Sequence, residues 1–526
     1  MRNKGVDEAW LLDIIERRMS RRTALKLIGS GSLAAIAAAC TPFGSSPTTS
    51  TGPTGTLNLA NPGEPNYIDP AMSLENYEFA IVRNVYEGLV AWNNSWSSFV
   101  PALATSWSSN ADASEWTFHL RKGVKFHDGT AFDSTAVKAS LTHYDPDKTN
   151  WGFLLSGISG IDASDPNTVV LKFSAPSPDI LRNQVFIKMI SPQLLSSGDP
   201  AQTAIGTGPF KWGSRAKGTS ITLNANTSYW NSPAGGPGYT KAVLQSISDT
   251  NAAVQALQAG SVDIVPRIAP LQLQQLKSNS NLAVSTVKSW LVIHLIFRTD
   301  QGPLQDVRVR QAIAYAIDRD AIIKDVLLGQ AQKATSLMPP GTYGRSEPST
   351  VYNYDPAKAK SLLQAAGYPN GFSIALASGN SAPFPLVGQA IAGQLKQVGI
   401  NMQADALEPG VAVNDVLISN TPKHTILLST YGWVNGGPFH FNTQIIVNHP
   451  HYKGADMLAL VDKVNHTPDG PDRLKVLADA QEMYAQVIPD FPLYYPSVSD
   501  AYTKTIQNYS APVDAYQIDF TRAKSG

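Results

Sequence analysis

Residues 394–402 read Gln394-Leu395-Lys396-Gln397-Val398-Gly399-Ile400-Asn401-Met402: the end of a helix, a glycine stop, and a strand that begins at once. A switch from a helical to a strand-like pattern across one glycine is what a chain does when helices and strands share layers, and it predicts an α/β fold. Working outward, Asp355 and Pro356 supply an N-cap and a first-turn proline and Gly367 supplies a stop, so another helix is expected between them. Val309, Ala312, Ile313, Ala316 and Ile317 fall at i, i+3, i+4, i+7 and i+8. That is one apolar helix face, with Arg308, Arg310 and Gln311 on the other side. Alternating or short apolar runs recur at 56–60, 116–120, 168–173, 220–226 and 291–297, as strands would. No repeat of solenoid length is visible.

The chain has 526 residues, too many for one core; at roughly 150 residues per domain, two to four units are expected. Hydrophobic residues make up 43%, and 41 basic side chains balance 41 acidic ones. Disorder and a polyanionic partner are both disfavoured, so nucleic acid is not an expected ligand. Ten Trp and 19 Tyr pair apolar faces with polar tips, which suits wet clefts, although most such residues serve as core or rim. Cys40 is the only cysteine, which excludes intramolecular disulfides, a Cys-rich zinc site and thiol-pair chemistry. No cofactor is implied.

The position of Cys40 carries more than its number. Ser20 to Lys26 read S-R-R-T-A-L-K, with Arg21 and Arg22 as the pair, and an uncharged apolar run follows over 27–39. This is a twin-arginine export pattern. The run is well short of the roughly 20 residues that a permanent span requires, so cleavage is expected. Cys40 directly follows Ala37-Ala38-Ala39, the place where a bacterial lipoprotein carries its acylated cysteine. Ala37 stands where such signals usually have Leu, so ordinary cleavage after the A-x-A sequence is the alternative. Residues 41–55, nearly all small polar, Pro or Gly, form a flexible tether. An amphipathic stretch around Trp10 to Ile15 precedes the signal, so translation starts at either Met1 or Met19. Gly29-x-Gly31-x-x-Ala34 matches a loose dinucleotide fingerprint but lies inside the export segment with no strand before it.

Several blocks in the remainder share wording and order with a known family. They begin with Tyr86-Glu87-Gly88-Leu89, Pro101 to Trp107, and Phe118-His119-Leu120-Arg121-Lys122-Gly123-Val124-Lys125-Phe126-His127-Asp128-Gly129. Gly206-Thr207-Gly208-Pro209-Phe210, Asn226 to Trp230, Ala256 to Ile264, Asp306 to Ile313, Ala316 to Arg319, Ala365 to Tyr368 and Pro489 to Tyr494 follow. Together these resemble the extracytoplasmic solute-binding proteins of family 5, the peptide, opine and nickel importer class. The resemblance implies a two-lobed periplasmic-binding-protein-like fold of class II, with an extra subdomain in the first lobe. Lobe I would combine 56–90, 205–290 and 490–526, the subdomain would occupy 91–204, and lobe II 291–489. It also implies the partners: a membrane permease and an ATPase, a small solute or oligopeptide ligand, and the membrane itself through a lipid anchor.

In that family a Gly-Trp pair followed by an acidic loop lines the cleft between lobes. The corresponding residues are Tyr431, Gly432, Trp433 and Asn435, with Ser73 as a further candidate. Peptide-binding members place an Asp shortly after the Trp to hold an α-ammonium; here Asn435 is the only polar side chain in the window. A buried ammonium without its carboxylate loses about 3 to 5 kcal/mol, so solutes lacking a free amine, oligosaccharides included, gain ground. Trp433 and Tyr431 also read as plain lobe packing. His440, His449 and His451 lack the helical spacing of a metal pair and read as loop histidines, so no metal is expected. A secreted hydrolase is the rival class, but neither a G-x-S-x-G elbow nor an H-E-x-x-H motif is present. A sensor-coupled surface receptor would keep the fold and change the partner.

Overall fold

The structure, a computed structural model, describes residues 53–525 apart from 74, 94, 232–235, 277, 434–436, 438–451, 453, 515–517 and 522. The first lobe opens with β1 (Thr56–Asn61). An inserted subdomain follows. Its hairpin is β2 (Val90–Trp92) and β3 (Phe99–Pro101), and its antiparallel sheet comprises β4 (Ala104–Ser109), β5 (Glu115–Leu120), β6 (Ile158–Asp162) and β7 (Thr168–Phe173). The chain then returns to the first lobe through β8 (Phe210–Ala216), β9 (Ser220–Ala225), β10 (Lys241–Ser246), β11 (Ile264–Val265) and β12 (Leu282–Lys288). β1 runs parallel to both β10 and β11 and lies between them.

The second lobe contains β13 (Leu291–Phe297), β14 (Ala331–Lys333), β15 (Phe372–Gly379), β16 (Ile400–Leu407) and β17 (Ile426–Gly432), in the order β16-β15-β17-β13. β15 is parallel to β16 and β17. β13, Leu-Val-Ile-His-Leu-Ile-Phe, is buried at every position, as a strand covered on both faces must be. The lobes are joined through the 14-residue β18 (Asp490–Thr503). Its first residues pair with β13, for example Asp490 with Ile296, and its later ones with β12, for example Ser499 with Thr286. The stretch 490–494, which the sequence reading groups with lobe I, therefore pairs within the sheet of lobe II before the strand crosses over.

Local chemistry explains the elements that the sequence announces. The helix Pro356–Ala365 starts where Asp355 accepts the Lys358 N–H at 2.8 Å and is followed by Gly367 at φ +91°. The helix Phe384–Lys396 gives way to β16 through Gly399 at φ +90°, a left-handed turn that a residue with a Cβ adopts only under strain. In the helix Val307–Ala316, Val309, Ala312, Ile313 and Ala316 are buried as the periodicity requires. Arg310, expected on the outer face, is buried too. Its guanidinium donates to the carbonyls of Leu304 at 2.7 Å, Ile488 at 2.9 Å and Val487 at 2.5 Å. It thereby closes the carboxyl end of the helix Pro471–Val487, whose last carbonyls have no partners within the helix.

The shared blocks are held to one another by two partly buried groups. The Glu87 carboxylate accepts from Thr207 Oγ1 at 2.8 Å, Tyr229 Oη at 2.7 Å and Trp230 Nε1 at 2.7 Å. The His127 ring spans Gly206 and Gly208: the Gly206 N–H reaches Nδ1 at 3.3 Å and Nε2 contacts the Gly208 carbonyl at 2.9 Å. His127 thereby ties the subdomain to the first lobe, Glu87 ties segments of the first lobe to one another, and neither forms part of the cleft described next.

Candidate ligand-binding cleft

In open α/β sheets a ligand site forms beyond the carboxyl ends of the strands, where loops diverge and helix amino ends point inward. Both lobes present such ends to one space. From the first lobe, β10 leads to the helix Thr250–Gln258, whose N-cap Asp249 accepts the Ala252 N–H at 2.7 Å, and β11 leads to Arg267. From the second lobe, β15 leads to residues 381–384 and the helix Phe384–Lys396, and β17 ends at Gly432. Asp249, Arg267, Ser381, Phe384, Thr430 and Tyr494 all line the resulting cleft, whose volume is about 550 Å³. Its floor is a lateral row set by strand register, Thr430 beside Ile293 beside Tyr494. The edge of β18 at Pro496–Ser499 completes it. Volume and lining are those of a site for a small solute.

Tyr431, Gly432, Trp433 and Ser73, singled out from sequence, are not among the residues that line this cleft. Thr430 lines it, whereas Tyr431 turns the other way, its ring edge-on to Trp433 at 6.0 Å. Gly432 is buried and pairs with Leu291. Trp433 is fully buried among Trp290, Val292 and Met457, and its backbone N–H donates to the Trp290 carbonyl at 2.8 Å. Ser73 is also fully buried; its hydroxyl donates to the Asp69 carbonyl at 2.9 Å, and its own carbonyl accepts from Trp151 Nε1. Asn435, Cys40, Arg21 and Arg22 lie outside the described residues, as do His440, His449 and His451. Among the described residues no group of three or more His, Cys, Asp or Glu is placed to hold a metal ion. Sequence reasoning missed Arg267, Ser381 and Thr430. The signal that points to them is the strand-end rule: each lies within a few residues of the carboxyl end of a parallel strand.

The lobes also meet away from the cleft. Asp179 and Arg182 of the first lobe face Asp469 and Arg473 of the second. Asp179 Oδ2 lies 2.5 Å from Arg473 Nη2, and Arg182 Nη1 lies 3.0 Å from both Asp179 Oδ1 and Asp469 Oδ2. Burial raises the Asp179 pKa, but Arg473 and Arg182 outweigh it and hold the carboxyl below its ordinary value. The Arg182 guanidinium stacks 3.9 Å from the Tyr343 ring centroid. Nearby, Trp92 and Trp96 of the first lobe pack edge-on against Trp290 at 5.6 and 5.7 Å.

Comparison with known proteins agrees with this geometry. The glutathione-binding protein GsiB of Escherichia coli (strain K12) is 28% identical over 468 residues, covering 84% of this chain and 89% of that protein. Among solved structures, the periplasmic binding protein DppA of Helicobacter pylori, in complex with the peptide STSA, superposes with a TM-score of 0.78. It is 25% identical and covers 90% of this chain and 99% of its own. AgaA of A. tumefaciens R10, in complex with agropinic acid, gives a TM-score of 0.76 at 26% identity, over 90% of this chain and 98% of that one. The model of bacterial extracellular solute-binding proteins, family 5 middle, matches residues 98–451, more than half the chain. With two lobes, a bridging strand and a cleft between parallel-strand ends, the chain belongs to the family 5 extracellular solute-binding proteins, as the component that captures a solute outside the cytoplasm for an ABC importer.

Proposed function

We infer that the chain grips an oligopeptide-like or related small solute between its lobes, releases it unchanged to the permease, and makes or breaks no bond in it. The observation that carries this reading is the convergence of strand ends from both lobes on one cleft, because a solute touching both walls favours the closed arrangement over the open one. In this reading Tyr431, Gly432 and Trp433 back the end of β17 that presents Thr430 to the cleft, Asn435 is kept as a candidate solute contact, and Ser73 is a buried residue of the first lobe. The GsiB, DppA and AgaA ligands named above have the size and polarity of the solute we have in mind. Purified chain should melt at a higher temperature with a bound peptide or related solute, since ligand at a hundred times its Kd adds about 2.7 kcal/mol, and its scattering radius should shrink. Turnover of that solute by the chain alone would sink the reading.

Export through Arg21 and Arg22, followed by a lipid anchor on Cys40 and the 41–55 tether, would hold the two lobes on the outer face of the membrane. The support is the sequence pattern and the extracellular character of the family. Replacing Cys40→Ser should move the protein from the membrane fraction to the soluble extracytoplasmic fraction. An unchanged membrane fraction would mean that something other than this cysteine tethers it.

A further inference from the structure

We propose that the cleft selects solutes carrying an anionic group, a carboxylate or a phosphate, and that Arg267 is the specificity-determining residue that grips it. The inference rests on the reading of the cleft as the solute site and names the chemistry recognised there.

Among the described residues lining the cleft, Asp249 and Arg267 carry formal charge. Asp249 is turned to its own helix, capping Ala252. Arg267 is exposed; its backbone N–H donates to Asp500 Oδ1 at 2.9 Å, and among the described residues its guanidinium makes no hydrogen bond or ion pair and acts only at longer range, on the Asp500 carboxyl. A guanidinium fork matches two oxygens of a carboxylate or phosphate.

Its backbone is fixed in advance. Arg267 has φ +57°, a region that glycine enters freely and a residue with a Cβ enters under strain. Three bonds hold it there. Buried Asp500 takes the Arg267 N–H, Tyr509 Oη donates to the other oxygen of Asp500 at 2.7 Å, and the Ile268 N–H donates to the Ser499 carbonyl at 2.7 Å. A solvated surface arginine needs no such brace, whereas a side chain that must meet a ligand in one position loses less entropy on binding when its backbone is held.

The opposite wall has the same electrostatic sign. The 13-residue helix Phe384–Lys396 brings its amino end to the cleft, and no side chain caps it. Pro383 and Pro385 have no N–H and the Phe384 N–H already donates to the Ser381 carbonyl, so what this end offers an anion is its dipole. An independent observation also points to a ligand: the Tyr494 phenol is 2% exposed, lines this cleft, and its Oη has no partner among the described residues. A buried hydroxyl donor of this kind calls for an acceptor.

The test is titration calorimetry on the full purified chain, using pairs of acids and neutral counterparts. Free and N-acetylated di- to pentapeptides would be compared with their C-terminal amides, and hexose phosphates with hexoses, so that carboxylate and phosphate are told apart. The acid of a binding pair should bind more tightly than its neutral mate, and Arg267→Gln should weaken the acid roughly 10- to 100-fold while leaving the neutral mate unchanged. Arg267→Gly separates binding from folding, because it relieves the left-handed strain: its melting temperature should rise while the anion is lost. Acid and amide binding alike, or an Arg267→Gln variant that holds the acid as tightly as wild type, would overturn the proposal and leave the solute-binding reading intact. Binding of no probe at all, with no change in scattering radius, would overturn both.

Discussion

The His127 ring is used at both nitrogens: Nε2 faces a carbonyl, which can only accept, so the proton lies on Nε2, and Nδ1 is left to accept the Gly206 N–H. Only the neutral ring can do both. Burial is the main cause that lowers its pKa from 6.5 to about 4. Above pH 6.5 the ring is neutral in both folded and unfolded chains and its contribution is complete. Between 6.5 and 4 the unfolded chain takes up a proton that the folded one refuses, so stability falls as pH falls, and by pH 4 the contribution is gone. At about 1.4 kcal/mol per pH unit, the loss is up to about 3 kcal/mol. His127→Gln should be less stable at pH 7 yet show a flatter fall between pH 6.5 and 4 in urea melts. Parallel slopes for the two proteins would place the pH dependence elsewhere. Arg267 makes the opposite point at the same scale, since nothing in its immediate sequence distinguishes it from a surface arginine; only its placement in the cleft and its backbone angle do.

At the scale of elements, legibility followed sequence distance. The helix capped by Asp355, the stop at Gly399 and the uniformly apolar β13 depend on residues a few positions apart, so composition and spacing suffice to find them. The outer-face expectation for Arg310 failed for a physical reason. Its partners, the carbonyls of Val487 and Ile488, belong to a helix end some 178 positions away, and a guanidinium with enough carbonyl acceptors can be buried. Trp433 was legible as important but not in its role: a Trp beside a glycine fits a cleft wall and a lobe core equally well, and its full burial decides where it packs. The cleft was the least legible feature. Its walls come from strand ends spread between Asp249 and Ser499, and apart from Tyr494 the residues that line it lie outside the shared blocks. The blocks themselves, through Glu87 and His127, encode how the lobe holds together.

For the whole molecule, the cross-lobe ionic cluster is the feature through which closure can be altered without touching the cleft. Two carboxylates and two guanidiniums make it neutral, and Arg473 is fully buried. Asp179 is the centre of it, bonded to Arg182 at 3.0 Å and to Arg473 through both oxygens at 2.5 and 3.2 Å. Asp179→Asn keeps the shape and removes one charge, leaving two guanidiniums to share Asp469, whose side chain is 44% exposed. Breaking a buried ionic group in this way costs roughly 3 to 5 kcal/mol. That cost falls on the contact between lobes, because the Asp179 carboxylate bonds to Arg473 of the second lobe and makes no side-chain cap to the helix Ile180–Phe186 that it precedes, so Ile180, Val185 and Phe186 keep their places in the first lobe's core. The variant should therefore show a larger scattering radius without ligand and faster solute release, while the urea midpoints of the lobes stay near those of wild type. An unchanged radius, with the whole loss appearing in the urea midpoint, would assign the cluster to folding and remove it from the closing mechanism.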